Sequence, residues 1–207
     1  LGANRILYDR VFADPTSGPQ DAALAAALRR HPGRVFIGTM SPRDMTTGKY
    51  VEVWPRPEFI KNAGLVSLNG KTSPFGFSAR LPFRGSMEGV SIPSMSTVLA
   101  GKDIKSLAFY KPDWSIEART IPTISVTDIV HGRVTRDQVA GRDIVIGITS
   151  PSGGDIHSIL HQGWLPGVYF HVIGAQTLER GLPVYWEWIP AFLVAIALSL
   201  ANLYARR

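Results

Sequence analysis

The chain has 207 residues, 45% of them hydrophobic and 18% charged, ordinary proportions for a globular fold with one sizeable domain. Net charge is +6 and the pI about 9.8, yet the basic residues are scattered and no arginine–aromatic interleaving occurs, which excludes a nucleic-acid binder and suits attraction to anionic lipid headgroups. Cysteine is absent, which excludes disulfides, a thiolate nucleophile and Cys-ligated zinc.

In chain order, residues 5–12 (RILYDRVF) read as a strand from their β-branched and aromatic content, and residues 14–19 (DPTSGP) as a turn. Asp21 is expected to cap a helix through Leu24, Ala25 and Leu28 to Arg29-Arg30, acid first and bases last as the helix dipole prefers. Pro32-Gly33 ends it, and residues 34–38 (RVFIG) form the next strand. Strand, helix and strand in so short a stretch predict a βαβ unit, hence a parallel pair with a right-handed crossover.

From Ser41 to about Trp114 the chain is rich in Pro, Gly and Ser. Within this stretch residues 49–54 (KYVEVW) alternate like a strand with one wet face, and residues 93–100 (PSMSTVLA) predict a short helix begun near Ser94. Residues 119–126 predict a strand broken by Pro122, and residues 127–130 a helical turn. Residues 142–149 (RDIVIGIT) predict the strongest strand, central in a covered sheet, before a loop opened by Gly153-Gly154. A last domain helix over residues 166–180 presents Val168, Val172, Ala175 and Leu178 on one face and is closed by Gly181 and Pro183. The expected fold class is α/β, a mostly parallel sheet with flanking helices.

Residues 189–204 (IPAFLVAIALSLANLY) carry no charge, and with residues 184–188 they reach a helix of about 31 Å, against roughly 30 Å of bilayer hydrocarbon. Trp186, Trp188 and Tyr204 sit where aromatic belts are expected, and Arg206-Arg207 belong on the cytoplasmic side by the positive-inside rule. The expectation is an extracytoplasmic domain over residues 1–183 and a transmembrane helix with the start of the cytoplasmic side over 184–207. A chain that begins at Leu1 without an export signal is expected to be a fragment or a processed form.

Several segments then fall in the order of a known family. IPTISVTDIVHG (residues 121–132), GRDIVIGITSPSGGD (141–155), LPGVYFHVIGAQTLERG (165–181) and the C-terminal apolar helix together resemble the CHASE2 domain. ILYDRVFADP followed by QDAALAAAL, Asn62-Ala63-Gly64 and Pro93-Ser94 also fall in family-like places. The resemblance implies an extracytoplasmic sensory module of a bacterial inner-membrane receptor. Its output would be a cytoplasmic module such as an adenylate or diguanylate cyclase or a kinase, outside this chain, and its first strand and helix would lie upstream of Leu1. Family members often carry His-Ala where this chain has His171-Val172, a mild departure.

The densest polar site is Asp155, His157 and His161, with His171 further on. His157 and His161 at i, i+4 would share a helical face, but Ile156 and Ser158 flank His157 and no adjacent Glu completes a metalloprotease pattern, so no metal is assigned. The loop holding Ser150, Ser152, Gly153, Gly154, Asp155 and His157 leaves the carboxyl end of a parallel strand, where open α/β sheets bind ligands, and its backbone N–H groups suit an anion nest. Asp9 and Asp14 flank the end of the first strand, either as acid–base groups or, preferably, as turn caps. Ser125 and Ser150 lack a nucleophile-elbow context, which leaves a hydrolase without support. Asp128 and Asp143 read as solvated charges, and Trp114 and Trp164 as core. The reading is a sensor domain, not an enzyme, with no cofactor. It would bind a small ligand or an envelope protein, contact lipid through its C-terminal helix, and act as a homodimer. The rivals are a membrane-anchored enzyme using Asp9, Asp14, Asp155 and His157, and an envelope assembly module.

Overall fold

The computed structural model describes residues 1–44, 46–72, 79–150, 153, 155–159, 162–184 and 189–205. The chain opens with β1 (Arg5–Tyr8), α1 (Gly18–Arg30) and β2 (Val35–Thr39), the expected βαβ unit, with Ile6, Leu7 and Tyr8 in parallel register with Val35, Phe36 and Ile37. A short α2 (Pro57–Ile60) leads into β3 (Gly64–Ser67), parallel to β2. The middle makes β4 (Lys71–Thr72), β5 (Ala79–Pro82), β6 (Arg84–Met87), β7 (Val90–Pro93), α3 (Met95–Leu99) and β8 (Phe109–Tyr110). A 3-10 turn (Ala118–Thr120), α4 (Val126–Val130) and α5 (Arg136–Val139) then return the chain to the main sheet as β9 (Asp143–Ile146). An antiparallel hairpin, β10 (Ile156–Ile159) and β11 (Gly163–Pro166), runs directly into α6 (Gly167–Arg180), and α7 (Ile189–Ala205) follows.

The main sheet has the order β3-β2-β1-β9, all parallel. Strand alternation divides its side chains between two covers. Val35 and Ile37 pack with Ala25 and Leu28 of α1 and with Phe59 of α2. Leu7 and Val66 pack with Met95 of α3. A third apolar cluster joins α6, through Phe170, Ile173 and Leu178, to Leu81, Tyr110, Ile159 and Leu165. The Ser94 hydroxyl accepts the Thr97 N–H at 3.2 Å and caps α3, as expected from the sequence.

Several expectations are corrected. Residues 142–149 are not central: β9 lies at the edge of the sheet beside β1, each of its four residues is only partly buried, α6 packs against it, and among the described residues no strand pairs with its outer side. Residues 49–54 make only isolated bridges, Tyr50 to Arg43 and Val53 to Met40, in a segment bounded by Pro42 and Pro55. Residues 119–126 form no strand, since Pro122 follows the 3-10 turn and has no N–H to give a ladder. Asp21 is not the helix cap. Gly18 and Pro19 start α1 earlier, and the Asp21 carboxylate accepts the Thr16 hydroxyl at 2.6 Å and pairs with Arg56. Trp114 does join the core around α6, whereas Trp164 is 77% exposed.

The described residues do not support the transmembrane expectation. Helix α7 has 17 residues, about 26 Å at 1.5 Å per residue, and among the described residues no helix is long and apolar enough to cross a membrane. Residues 185–188, which were to extend it, lie outside the described residues. All of α7 is exposed, Phe192, Leu193, Val194, Leu198 and Leu203 included.

Candidate functional site

The chain leaves β1 on one side through β2 and β3 and comes back on the other as β9. The gap between the carboxyl ends of β1 and β9 is therefore a topological switch point, where the connections diverge and leave a crevice. Asp9 stands there, one residue past β1, its N–H donating to the Ile146 carbonyl at 2.8 Å and its side chain only 9% exposed. Gly147 follows β9. A Cβ at Gly147 would lie 2.6 Å from Val168 Cγ2 and 3.2 Å from Asp9 Cβ, so its bare backbone lets the first turn of α6 close on the crevice.

Helix α6 brings the third wall. The Gly167 N–H donates to the Asp155 carbonyl at 3.0 Å, and a Cβ at Gly167 would sit 2.0 Å from Asp155 Oδ2. One turn on, buried His171 puts Nε2 3.6 Å from Asp9 Oδ1, while its Nδ1 has no partner among the described residues. Strand β10 adds His157, whose Nε2 lies 2.9 Å from Asp155 Oδ1 and whose ring packs on Phe170 with centroids 4.9 Å apart. Two carboxylates and two imidazoles thus meet, drawn from the end of β1, from β10 and the residue before it, and from α6.

Burial pushes the Asp9 carboxyl above its ordinary range; His171 opposes this, and the negative charge of Asp155 adds to it. Asp155 is held below the ordinary range by its hydrogen bond to His157, against its own burial, with the charges of His157 and His171 helping. The folded value of Asp9 is raised, so its contribution to stability is present below the unfolded value and is lost as pH rises through the folded one. Asp9→Asn is therefore expected to raise the melting temperature at pH 7–8 and to lose that gain near pH 3. Thermal melts at both pH values check it, with about 1 kcal/mol moving Tm by roughly 2–4 °C in a domain of this size.

Of the residues singled out in the sequence, Asp9, Asp155 and His157 come together. Ser150 and Gly153 lie exposed in the loop after β9, the Gly153 N–H donating to the Ser150 carbonyl at 2.9 Å. Ser152, Gly154 and His161 lie outside the described residues. Asp14 is exposed in the turn before α1 and is not one of the four. His157 sits on a strand, so helical spacing to His161 has no meaning there, and among the described residues no three His, Cys, Asp or Glu side chains are placed to hold a metal ion. Asp143, read as a solvated charge, is instead clamped by Arg5 at 2.5 Å.

The fourth member, His171, was visible only as a histidine further along the chain. Its signal lay in the spacing: it stands three residues after Val168 and four before Ala175, on the apolar face of an otherwise core helix. Gly167→Ala should drive the Asp155 carboxylate off its place and break the 2.9 Å contact with His157 while leaving α6 helical. Loss of the His157–Asp155 hydrogen-bond signature in imidazole NMR, with unchanged helical circular dichroism, is the expected result.

A family model described as the CHASE2 domain matches residues 1–203 of the chain. No match is found among curated proteins or among solved structures.

Proposed function

Because the chain belongs to the CHASE2 family, a family of sensory domains of signalling receptors, we propose that it is the extracytoplasmic input domain of a membrane-bound bacterial receptor. It takes its signal at the switch-point cluster and hands it to a cytoplasmic output module such as a cyclase or kinase. In this reading residues 1–183 lie in the periplasm or extracellular space, α7 is the membrane-directed element, and two chains work as a pair. The domain itself carries no catalysis.

The observation that carries the reading is the convergence of Asp9, Asp155, His157 and His171 on the start of α6. Helix α6 runs from that cluster to Arg180, and the chain continues through Gly181, Leu182 and Pro183 towards α7. A ligand shifts such a device only by preferring one arrangement of it, through a difference in free energy between the two states. Ser150 and Gly153 in the loop after β9, and Ser152 and Gly154 beside them in sequence, complete the proposed contact set.

Thermal melting at one fixed pH against metals, nucleotides, sugars, amino acids and lipid headgroups tests the site. A preferential binder at 100 times its Kd adds about 2.7 kcal/mol. Stabilisation that disappears in Asp155→Asn or His157→Gln supports the reading, and stabilisation that survives both overturns the placement of the site. Replacing Gly181-Leu182-Pro183 by a long Gly-Ser linker should uncouple input from output in the intact receptor, and undiminished signalling would refute the route through α6.

A further inference from the structure

We propose that the signal read at this site is acidity: the Asp9–His171 pair, supported by Asp155–His157, takes up protons and so draws the start of α6 onto the end of β1. The proposal rests on the cluster being the sensor's input site and names the proton as its ligand.

The geometry is that of a pair left one proton short of completion. His171 Nε2 and Asp9 Oδ1 are 3.6 Å apart, within reach of an ion pair but beyond a hydrogen bond. Both side chains are more than nine-tenths buried, with exposures of 7% and 9%. Among the described residues no donor hydrogen-bonds the Asp9 carboxylate, and His171 Nδ1 is also unpartnered. A buried carboxylate without a donor is unfavourable, and a protonated imidazole facing it removes that penalty. The charge-assisted bond so formed is about 2.7–2.9 Å long, so the gap would close by somewhat under 1 Å. Imidazole changes charge between about pH 5 and 8, the range in which an environmental acid signal acts.

The groups that face the pair are few. Asp9 comes from the end of β1, His171 from α6, Asp155 from the residue before β10, and His157 from β10. The titratable residue of β9, Asp143, is at the opposite end of its strand and is committed to Arg5. Among the described residues no lysine or arginine forms an ion pair with any of the four. With both imidazoles neutral and both carboxylates ionised, the cluster carries two negative charges, and Asp9 and Asp155 repel. With both imidazoles protonated it carries none. Protonation therefore removes a repulsion and makes an attraction at the same place. Gly147 and Gly167, whose missing side chains would crowd Val168 and Asp155, leave the helix start room to settle.

The test uses the full chain in detergent micelles, read by hydrogen exchange corrected for intrinsic pH dependence. Between pH 7.5 and 5.5 the amides of the first turns of α6 should slow about tenfold, with a change also at residues 181–184. Asp9→Asn and His171→Gln should abolish this pH response. The same response in both variants, or none in folded wild-type protein, overturns the proposal. Should either variant fold poorly, 15N spectra of the wild-type imidazoles decide: His171 is expected to gain a hydrogen-bonded proton between pH 8 and 5, and a His171 that remains neutral at pH 5 in the folded chain overturns it. Protection of α6 by a compound of the panel at fixed pH, with no response to pH, would leave the input site standing and remove the proton as its ligand. A pH response centred instead on residues away from the four would sink both.

Discussion

Arg5→Ala is expected to lower stability by about 3 kcal/mol and Tm by roughly 6–12 °C. The Arg5 guanidinium donates to both carboxylate oxygens of Asp143, Nε at 3.0 Å and Nη2 at 2.5 Å. It also donates to the Val98 carbonyl at 2.7 Å and the Leu99 carbonyl at 3.1 Å, at the end of α3. One side chain thus ties β1 to β9 and supplies donors and positive charge where a helix terminus lacks them. Without it Asp143 keeps the Asn4 amide at 2.8 Å and the backbone N–H of residue 5, the Leu99 carbonyl loses the Arg5 donor, and the Val98 carbonyl is left with the Gly101 N–H at 3.0 Å. Both partners are 23% exposed, which places the cost at the low end for a buried pair. Arg5→Lys keeps the charge but not the fork and should fall between the two. The hydrogen bond from Arg5 is the main reason Asp143 lies below the ordinary carboxylate range. A depressed folded value means stability that is present above the unfolded value and is lost as pH falls through the folded one. Urea unfolding should therefore show wild type and Arg5→Ala well separated at pH 7 and converging below about pH 3.8.

Gly174→Val is the second, with an expected loss of about 3 kcal/mol from overpacking. A Cβ at residue 174 would lie 2.5 Å from Leu81 Cδ1 and 2.7 Å from both Ser96 Oγ and Tyr110 Oη. Helix α6 approaches α3, β5 and β8 so closely there that glycine is the only side chain with room. Gly174→Ala should cost less, because alanine recovers about 1 kcal/mol of helix propensity against the same crowding. Chemical denaturation of the two variants gives the order. In a Tyr110→Phe background one of the three crowding atoms is gone, so the alanine substitution should become milder, and strictly additive effects would place the strain elsewhere.

These two sites differ in how far the sequence announced them. Gly174 sits between apolar residues of a strongly patterned helix, so its burial was legible but its three close neighbours were not. Arg5 and Asp143 are 138 positions apart. Only the register that sets Arg5 beside Asp143 and Leu7 beside Val145 turns a strand arginine and a carboxylate read as solvated into a clamp. The transmembrane expectation is not supported for a related reason: the composition of residues 189–204 is uncharged throughout, but composition alone does not set helix length, and the described helix over Ile189–Ala205 has 17 residues. The run over residues 142–149 was apolar enough for a central strand, yet an edge strand with one face under a helix has nearly the same composition.

What the sequence determined by itself is whatever depends on neighbours within a few residues. The opening βαβ unit, the Ser94 cap of α3, the extent of α6 and the ordered motifs of the family all follow from local pattern and turn chemistry. The tertiary structure alone decided that β9 returns to the far side of β1, and with it that Asp9, Asp155, His157 and His171 come together near the start of α6. Strand order is set by which apolar faces can be covered together, a property of the whole sheet and its helices. Burial and pairing, which make Asp9 costly and Asp155 stable, exist only once those elements have met.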